Sequence, residues 1–254
     1  MAMNPFSIYK RQLTRFLTLL LIIVGSANFI FAQQRTLHKP DGLNSWKPTH
    51  IFPSGTDNML DSVIRTDFTL VMRDGVIIDC LKWTPLREHP EGGFPTVIMH
   101  HGYGDNKETL SEFCRLQAQY GYYTMTFSTR GQGLSGGLSN LISRIEAEDL
   151  KEIVNWVRKD TSSGAGPKKI LIMGGSQGGL VPLMAACTGG LNVAALINSV
   201  APPNFASSWI ENGCTKMTLL WTIEYTPDTA RYTAQVDRMS DWIYADNKQY
   251  WDSL

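Results

Sequence analysis

An α/β protein built on a mostly parallel sheet with helices on both faces is predicted by three features of the 254-residue sequence. Short apolar runs recur at 96–99, 122–127, 170–173 and 193–197, as strands buried on both faces require. Helix-compatible segments alternate with them; over 144–159, Leu150, Ile153, Val154 and Val157 recur at helical spacing. Polar or glycine-containing loops follow three of the runs, at the strand ends where ligands of such sheets bind.

In chain order, Lys10, Arg11 and Arg15 precede an apolar run at 16–24 that continues more weakly to Phe31 and Ala32. A basic start, a short apolar core and a small residue before Gln33 describe a cleaved secretory signal peptide over 1–32. The run is too short and too interrupted by polar residues for a retained membrane anchor, and no cysteine stands at the cut to carry a lipid. An exported protein, periplasmic or extracellular, with no stable membrane insertion after cleavage, is therefore expected. Residues 33–65, rich in Pro, Asp, Asn and Gly, read as an extended N-terminal arm.

The main domain is expected over 66–205. The β-prone runs 66–72 and 76–83 flank Arg73-Asp74-Gly75, a hairpin suited to a sheet edge. A helix is predicted over 106–120 with Gly121 as its stop, followed by strand 122–127. After helix 144–159, Gly164-Ala165-Gly166-Pro167 forms a closing loop before strand 170–173. A helix over 180–187 follows, and Pro182 inside it predicts a bend, because proline removes one backbone hydrogen bond. Past Pro203 the chain becomes polar and crowded with aromatic residues, and 206–254 reads as the beginning of a helical cap.

Composition narrows the function. Basic and acidic residues number 23 each, so net charge gives no reason to expect nucleic acid or an acidic membrane surface as partner. Cys80, Cys114, Cys187 and Cys214 lack C-x-x-C spacing, which argues against a metal or redox motif, and Cys80 and Cys187 read as buried thiols. Gly131-Gln132-Gly133 with Gly136 matches the short dinucleotide pattern formally. No acidic residue at the end of a following strand supports it. No cofactor and no metal is expected. Disulfide pairing and oligomeric state are not specified by the sequence.

The chemistry centres on Gly174-Gly175-Ser176-Gln177-Gly178, a G-x-S-x-G pattern placed between a buried strand and a helix. There a serine hydroxyl projects from a sharp turn, and the helix N-terminus aims free N–H groups at charge developing beside it. Ser176 is the candidate nucleophile, and the backbone N–H of Gln177, the next residue, is the natural first oxyanion donor. Tyr103, in the loop His100-His101-Gly102-Tyr103-Gly104-Asp105, is the candidate second donor through its N–H or its phenol. A second G-x-S-x-G, Gly133 to Gly137, lies deep in a loop and lacks the strand-to-helix setting. All five histidines, His38, His50, His89, His100 and His101, precede Ser176. His100 is assigned to packing and His101 to shaping the oxyanion loop, with an out-of-order base at one of them as the less favoured alternative. As neighbours on a strand their rings should point to opposite faces, which disfavours a metal pair.

The ordered set HHGYGDNK, STRGQGLSGG and GGSQGG, with Met72-Arg73-Asp74-Gly75 upstream, resembles the α/β-hydrolases grouped with X-prolyl dipeptidyl-peptidases and cocaine esterase. The resemblance spans roughly 66–205. It implies an acylated Ser176, a Tyr103 hydroxyl that helps hold the oxyanion, a small peptide or ester substrate, and a helical cap after the strand that follows the elbow. Two departures stand out: Gln177 occupies a position where that family often has tyrosine, and no acid and histidine follow in the order the fold uses. The expectation is a sheet incomplete at the C-terminus, short of the two strands that carry acid and base. RGQG with GGSQGG also resembles the acetyl xylan esterase group, so an acyl or acetyl esterase is the nearest rival. A catalytically inactive fragment or binding module is the rival outside enzymes.

Overall fold

A computed structural model describes residues 62–202, 204, 210–211, 214–216, 230–239 and 241. The expected signal peptide, nearly all of the expected arm and most of the expected cap lie outside these residues.

A six-stranded sheet forms the frame, in the order β1-β2-β4-β3-β5-β6. Strands β1 (Val63–Val71) and β2 (Ile77–Pro85) make an antiparallel hairpin at one edge, as the Arg73-Asp74-Gly75 signal predicts. Gly75 takes φ 81° in the turn, a left-handed conformation that glycine adopts without Cβ strain. β1 starts at Val63, inside the segment read as arm, because Val63 and Ile64 pair with Pro85 and Thr84. β3 (Phe94–His100), β4 (Tyr123–Phe127), β5 (Ala165–Gly175) and β6 (Ala195–Ser199) are mutually parallel, and β2 joins them antiparallel through β4.

Helix α1 (Lys107–Gln119) packs on β2 and β4, while α2 (Arg144–Lys159) and α3 (Gln177–Cys187) pack on each other and on β5. Strand alternation feeds the two layers. Val97 and Met99 of β3 join Cys114 and Leu110 on the α1 side, whereas Ile98 joins Leu150, Ile153, Ile172 and Val181 on the other. Both ends of α2 follow from sequence. Ser143 and Glu146 form a reciprocal capping box, and Arg158 and Lys159 favour the negative end of the dipole.

Two expectations are corrected. β5 begins at Ala165, not within 170–173, because Gly166 lies so close to β3 that an added Cβ would meet the Phe94 carbonyl oxygen at 2.4 Å; the residues read as a loop are strand. α3 begins at Gln177 rather than Leu180, since Gly178 and Gly179 are helical despite their low propensity. In the segment read as helical cap, the described residues include β7 (Ile210–Glu211) paired antiparallel with β8 (Cys214–Thr215), besides a one-turn helix α4 (Ala234–Asp237).

Cys80, Cys114 and Cys187 are unpaired. Cys80 is buried as expected. Cys187, the last residue of α3, is exposed, contrary to expectation. Burial pushes the Cys80 thiol far up and the Cys114 thiol up to about 12. Brief alkylation of native protein at pH 8 is therefore expected to modify Cys187 and spare Cys80 and Cys114, as read by peptide mapping. Equal modification of Cys80 would contradict the packing described.

Candidate active site

The turn between β5 and α3 has the geometry a projecting serine needs. Ser176 sits at φ 55°, ψ −125°, a conformation rarely held by a residue with a side chain, and it is exposed. Its own N–H donates to the Ser199 carbonyl at 3.0 Å, and its carbonyl accepts from Gly179 and Leu180 as α3 begins. Glycines make the turn sterically possible. A Cβ at Gly178 would lie 2.1 Å from the His100 carbonyl oxygen and 2.4 Å from that of His101, and one at Gly174 would lie 2.3 Å from the Gly178 oxygen. The Gln177 N–H has no acceptor among the described residues and stands at the positive end of α3.

The loop after β3 lies against this turn: a Cβ added at Gly102 would be 3.9 Å from Ser176 Cβ. Tyr103, the second candidate donor, has its hydroxyl hydrogen-bonded to that of Tyr232, with the two rings stacked at 6.2 Å and 9°. Tyr232 arrives on residues 230–233, which run along the loop after β4: Arg231 N–H donates to Gly131 O at 2.8 Å, Ser139 N–H to Arg231 O at 2.6 Å and Thr233 N–H to Ser139 O at 3.1 Å. Sequence reading missed Tyr232. Only the fold brings a residue 129 positions away onto Tyr103.

The histidines behave partly as expected. Both are buried, and burial lowers the pKa of each, so both rings are neutral at pH 7. Their rings do not diverge, however. β3 ends at His100, so His101 escapes strand alternation, and both Nε2 atoms converge on Thr129 Oγ1, at 2.9 Å and 3.2 Å. His101 is fully engaged: Nδ1–H donates to Gly102 O at 2.6 Å and Nε2 accepts the Thr129 N–H at 2.8 Å. That pattern fixes its tautomer, braces the Gly102–Tyr103 loop and leaves no ring lone pair for Ser176. Among the described residues no group of three His, Cys, Asp or Glu side chains could hold a metal ion.

The glycine-rich loop after β4 is held by charge. Arg130 is buried and clasps Asp149 of α2 with Nε and Nη2 at 2.7 and 2.8 Å, while its Nη1 donates to Asp74 of the edge hairpin at 2.6 Å. Arg130 holds the Asp74 carboxyl down to about 2. Burial pushes Asp149 up, and the guanidiniums of Arg130 and Arg73 oppose that. Ser135, the serine of the second G-x-S-x-G, is wholly buried; its hydroxyl donates to Ser128 O at 2.6 Å and accepts from Asp79 N–H at 2.9 Å. It belongs to the scaffold. Two buried glutamines complete the region: Gln132 Nε2 donates to Gln177 Oε1 at 2.9 Å, Gln132 Oε1 accepts Gly104 N–H at 2.9 Å and Gln177 Nε2 donates to Leu141 O at 2.5 Å.

A mostly parallel sheet flanked by helices, with a serine at a strained strand-to-helix turn, defines an α/β-hydrolase fold. The chain belongs to the X-Pro dipeptidyl-peptidase (S15) family, whose model matches residues 74–253. No curated protein matches the sequence. Among solved structures, a hypothetical protein from Pseudomonas aeruginosa is similar in fold alone, with 17% identity over 73% of this chain and 56% of that one and a TM-score of 0.53. The α/β hydrolase GrgF from Penicillium sp. sh18 is 25% identical over 53% of this chain and 45% of its own, TM-score 0.46. A CocE/NonD family hydrolase from Staphylococcus aureus is 21% identical over 53% and 27%, TM-score 0.45. The chain spans about half the length, or less, of these three structures.

Proposed function

We propose that this chain carries the nucleophile and oxyanion donors of an exported serine hydrolase that cleaves an amide or ester through an acyl-Ser176 intermediate. The observation that carries the reading is the exposed Ser176 at φ 55° beside a Gln177 N–H that has no acceptor among the described residues. Attack of the Ser176 hydroxyl on a carbonyl would place negative charge on an oxygen, which the Gln177 N–H and the helix end favour. Tyr103 is the proposed second donor. Family membership supports a peptidase that releases an N-terminal dipeptide after proline. Gln177, where tyrosine is often found, favours an acyl esterase as second reading.

Such chemistry requires a base to take the Ser176 proton. No histidine follows Ser176, and His101 has both nitrogens engaged. Export rests on the basic and apolar segment at 10–32, which lies outside the described residues; among the described residues no helix is long and apolar enough to cross a membrane.

Xaa-Pro-p-nitroanilides and p-nitrophenyl acetate, offered to the protein, test the proposal. Turnover of the anilides supports the peptidase, and turnover of the ester alone supports the esterase. No turnover of either removes the enzymatic reading.

A further inference from the structure

We propose that Gln132 is a positioning residue for the oxyanion donors, acting through the side chain of Gln177 and the backbone of Gly104. The role rests on the serine-hydrolase reading above. Gln132 is fully excluded from solvent, and its two amide atoms face the two parts of the site that must keep a fixed distance. One is Gly104, next to Tyr103. The other is Gln177, whose own N–H is the first donor.

Chemistry dictates the orientation of both amides. Gly104 N–H at one end can only donate and Leu141 C=O at the other can only accept. Turning either amide over would set donor against donor or acceptor against acceptor at each end, in a place that water does not reach. The sequence N–H to Oε1, Nε2–H to Oε1, Nε2–H to O=C is thus the satisfied arrangement. It runs from the loop after β3, through the loop after β4, to the first residue of α3, and returns to Leu141. Leu141 is itself held at φ 62°, a left-handed conformation that a leucine keeps only when its surroundings over-determine it.

The same loop contains a built-in contrast. Ser135 is just as buried, yet its partners, Ser128 and Asp79, belong to the frame and not to the elbow or the oxyanion loop. A glutamine that served stability alone would behave like Ser135. Gln132 instead links the Gly104 backbone, next to Tyr103, to the side chain of Gln177, so its loss should move the rate at Ser176 as well as the melting temperature. The position usually taken by tyrosine in the family is filled here by Gln177, and Gln132 is the partner that makes a buried amide tolerable there.

The test compares Gln132→Ala, the near-isosteric Gln132→Met and Ser135→Ala with the parent protein. Three quantities are read: the second-order rate of Ser176 modification by a fluorophosphonate, the melting temperature, and hydrogen exchange of the Gly104 amide. Both Gln132 variants are expected to label at least about tenfold more slowly, the scale of a small misplacement of reacting groups, and to lose Gly104 protection. Ser135→Ala is expected to melt earlier and to label at the parent rate below its melting temperature. Gln132→Met shows the effect should the alanine variant not fold. A parent that labels and Gln132 variants that label equally fast overturn this role and leave the nucleophile standing. A parent that never labels at Ser176 overturns the hydrolase reading and this role with it.

Discussion

Replacing Ser176 with alanine is expected to lower turnover of any substrate found for the protein by about a millionfold, the scale seen when a nucleophilic serine is removed. Stability should stay within about 0.5 kcal/mol of the parent. The side chain is exposed and caps nothing in α3, so alanine removes the hydroxyl and keeps the backbone as it was. A companion variant separates chemistry from strain. Ser176→Gly should be equally inactive yet more stable by about 1 kcal/mol, because a residue with a Cβ at φ 55° stores about 1–3 kcal/mol that glycine does not, less glycine's own entropy cost. Steady-state kinetics and urea midpoints measured on the same preparations check both halves. An active Ser176→Ala protein removes the nucleophile assignment.

Gly178→Ala is the second large effect, and it falls on folding. The added methyl would stand 2.1 Å and 2.4 Å from two backbone carbonyl oxygens, those of His100 and His101, neither of which can rotate away as a side chain could. Either α3 withdraws from β3 or the turn opens. The expected loss is about 3 kcal/mol or more, the upper range for overpacking a tight contact. Gly75→Ala is the control: Gly75 has φ 81° but nothing within 4 Å of an added Cβ. It should cost only the left-handed backbone penalty of about 1–2 kcal/mol. Denaturant midpoints at constant slope distinguish the two. A Gly178→Ala protein as stable as Gly75→Ala would show that strand and helix are not in contact there.

The frame was legible because each of its signals is local. Alternating buried runs, the Arg73-Asp74-Gly75 turn, the helical spacing over 144–159 and Gly121 after α1 each act within a few residues, and the edge hairpin, α1, α2 and the turn at Ser176 stand where those signals put them. Errors came where tertiary contact overrules local preference. Gly166 and Gly178 look like loop or helix-breaking residues, yet both are chosen for the backbone they touch, and so β5 and α3 extend through them. Cys187 was misread because a cysteine at the last turn of an apolar helix carries no sign of which way it faces. The site was half legible. Ser176 follows from a motif, whereas the pairing of Tyr103 with Tyr232, the shared Thr129 between two histidines, and the link from Gln132 to Gln177 join residues far apart in sequence. Gln132 did carry a signal: a long polar amide in a loop otherwise built of glycine and serine has to find a partner once it is buried.

The most direct test of the account is peptide mapping by mass spectrometry after exposure of the protein to a fluorophosphonate. The expected result is a single adduct on the tryptic peptide that contains Ser176, lost in Ser176→Ala and absent after heat denaturation. An adduct on any other serine, Ser135 included, or none on Ser176 under conditions where the folded protein turns over substrate, would contradict it.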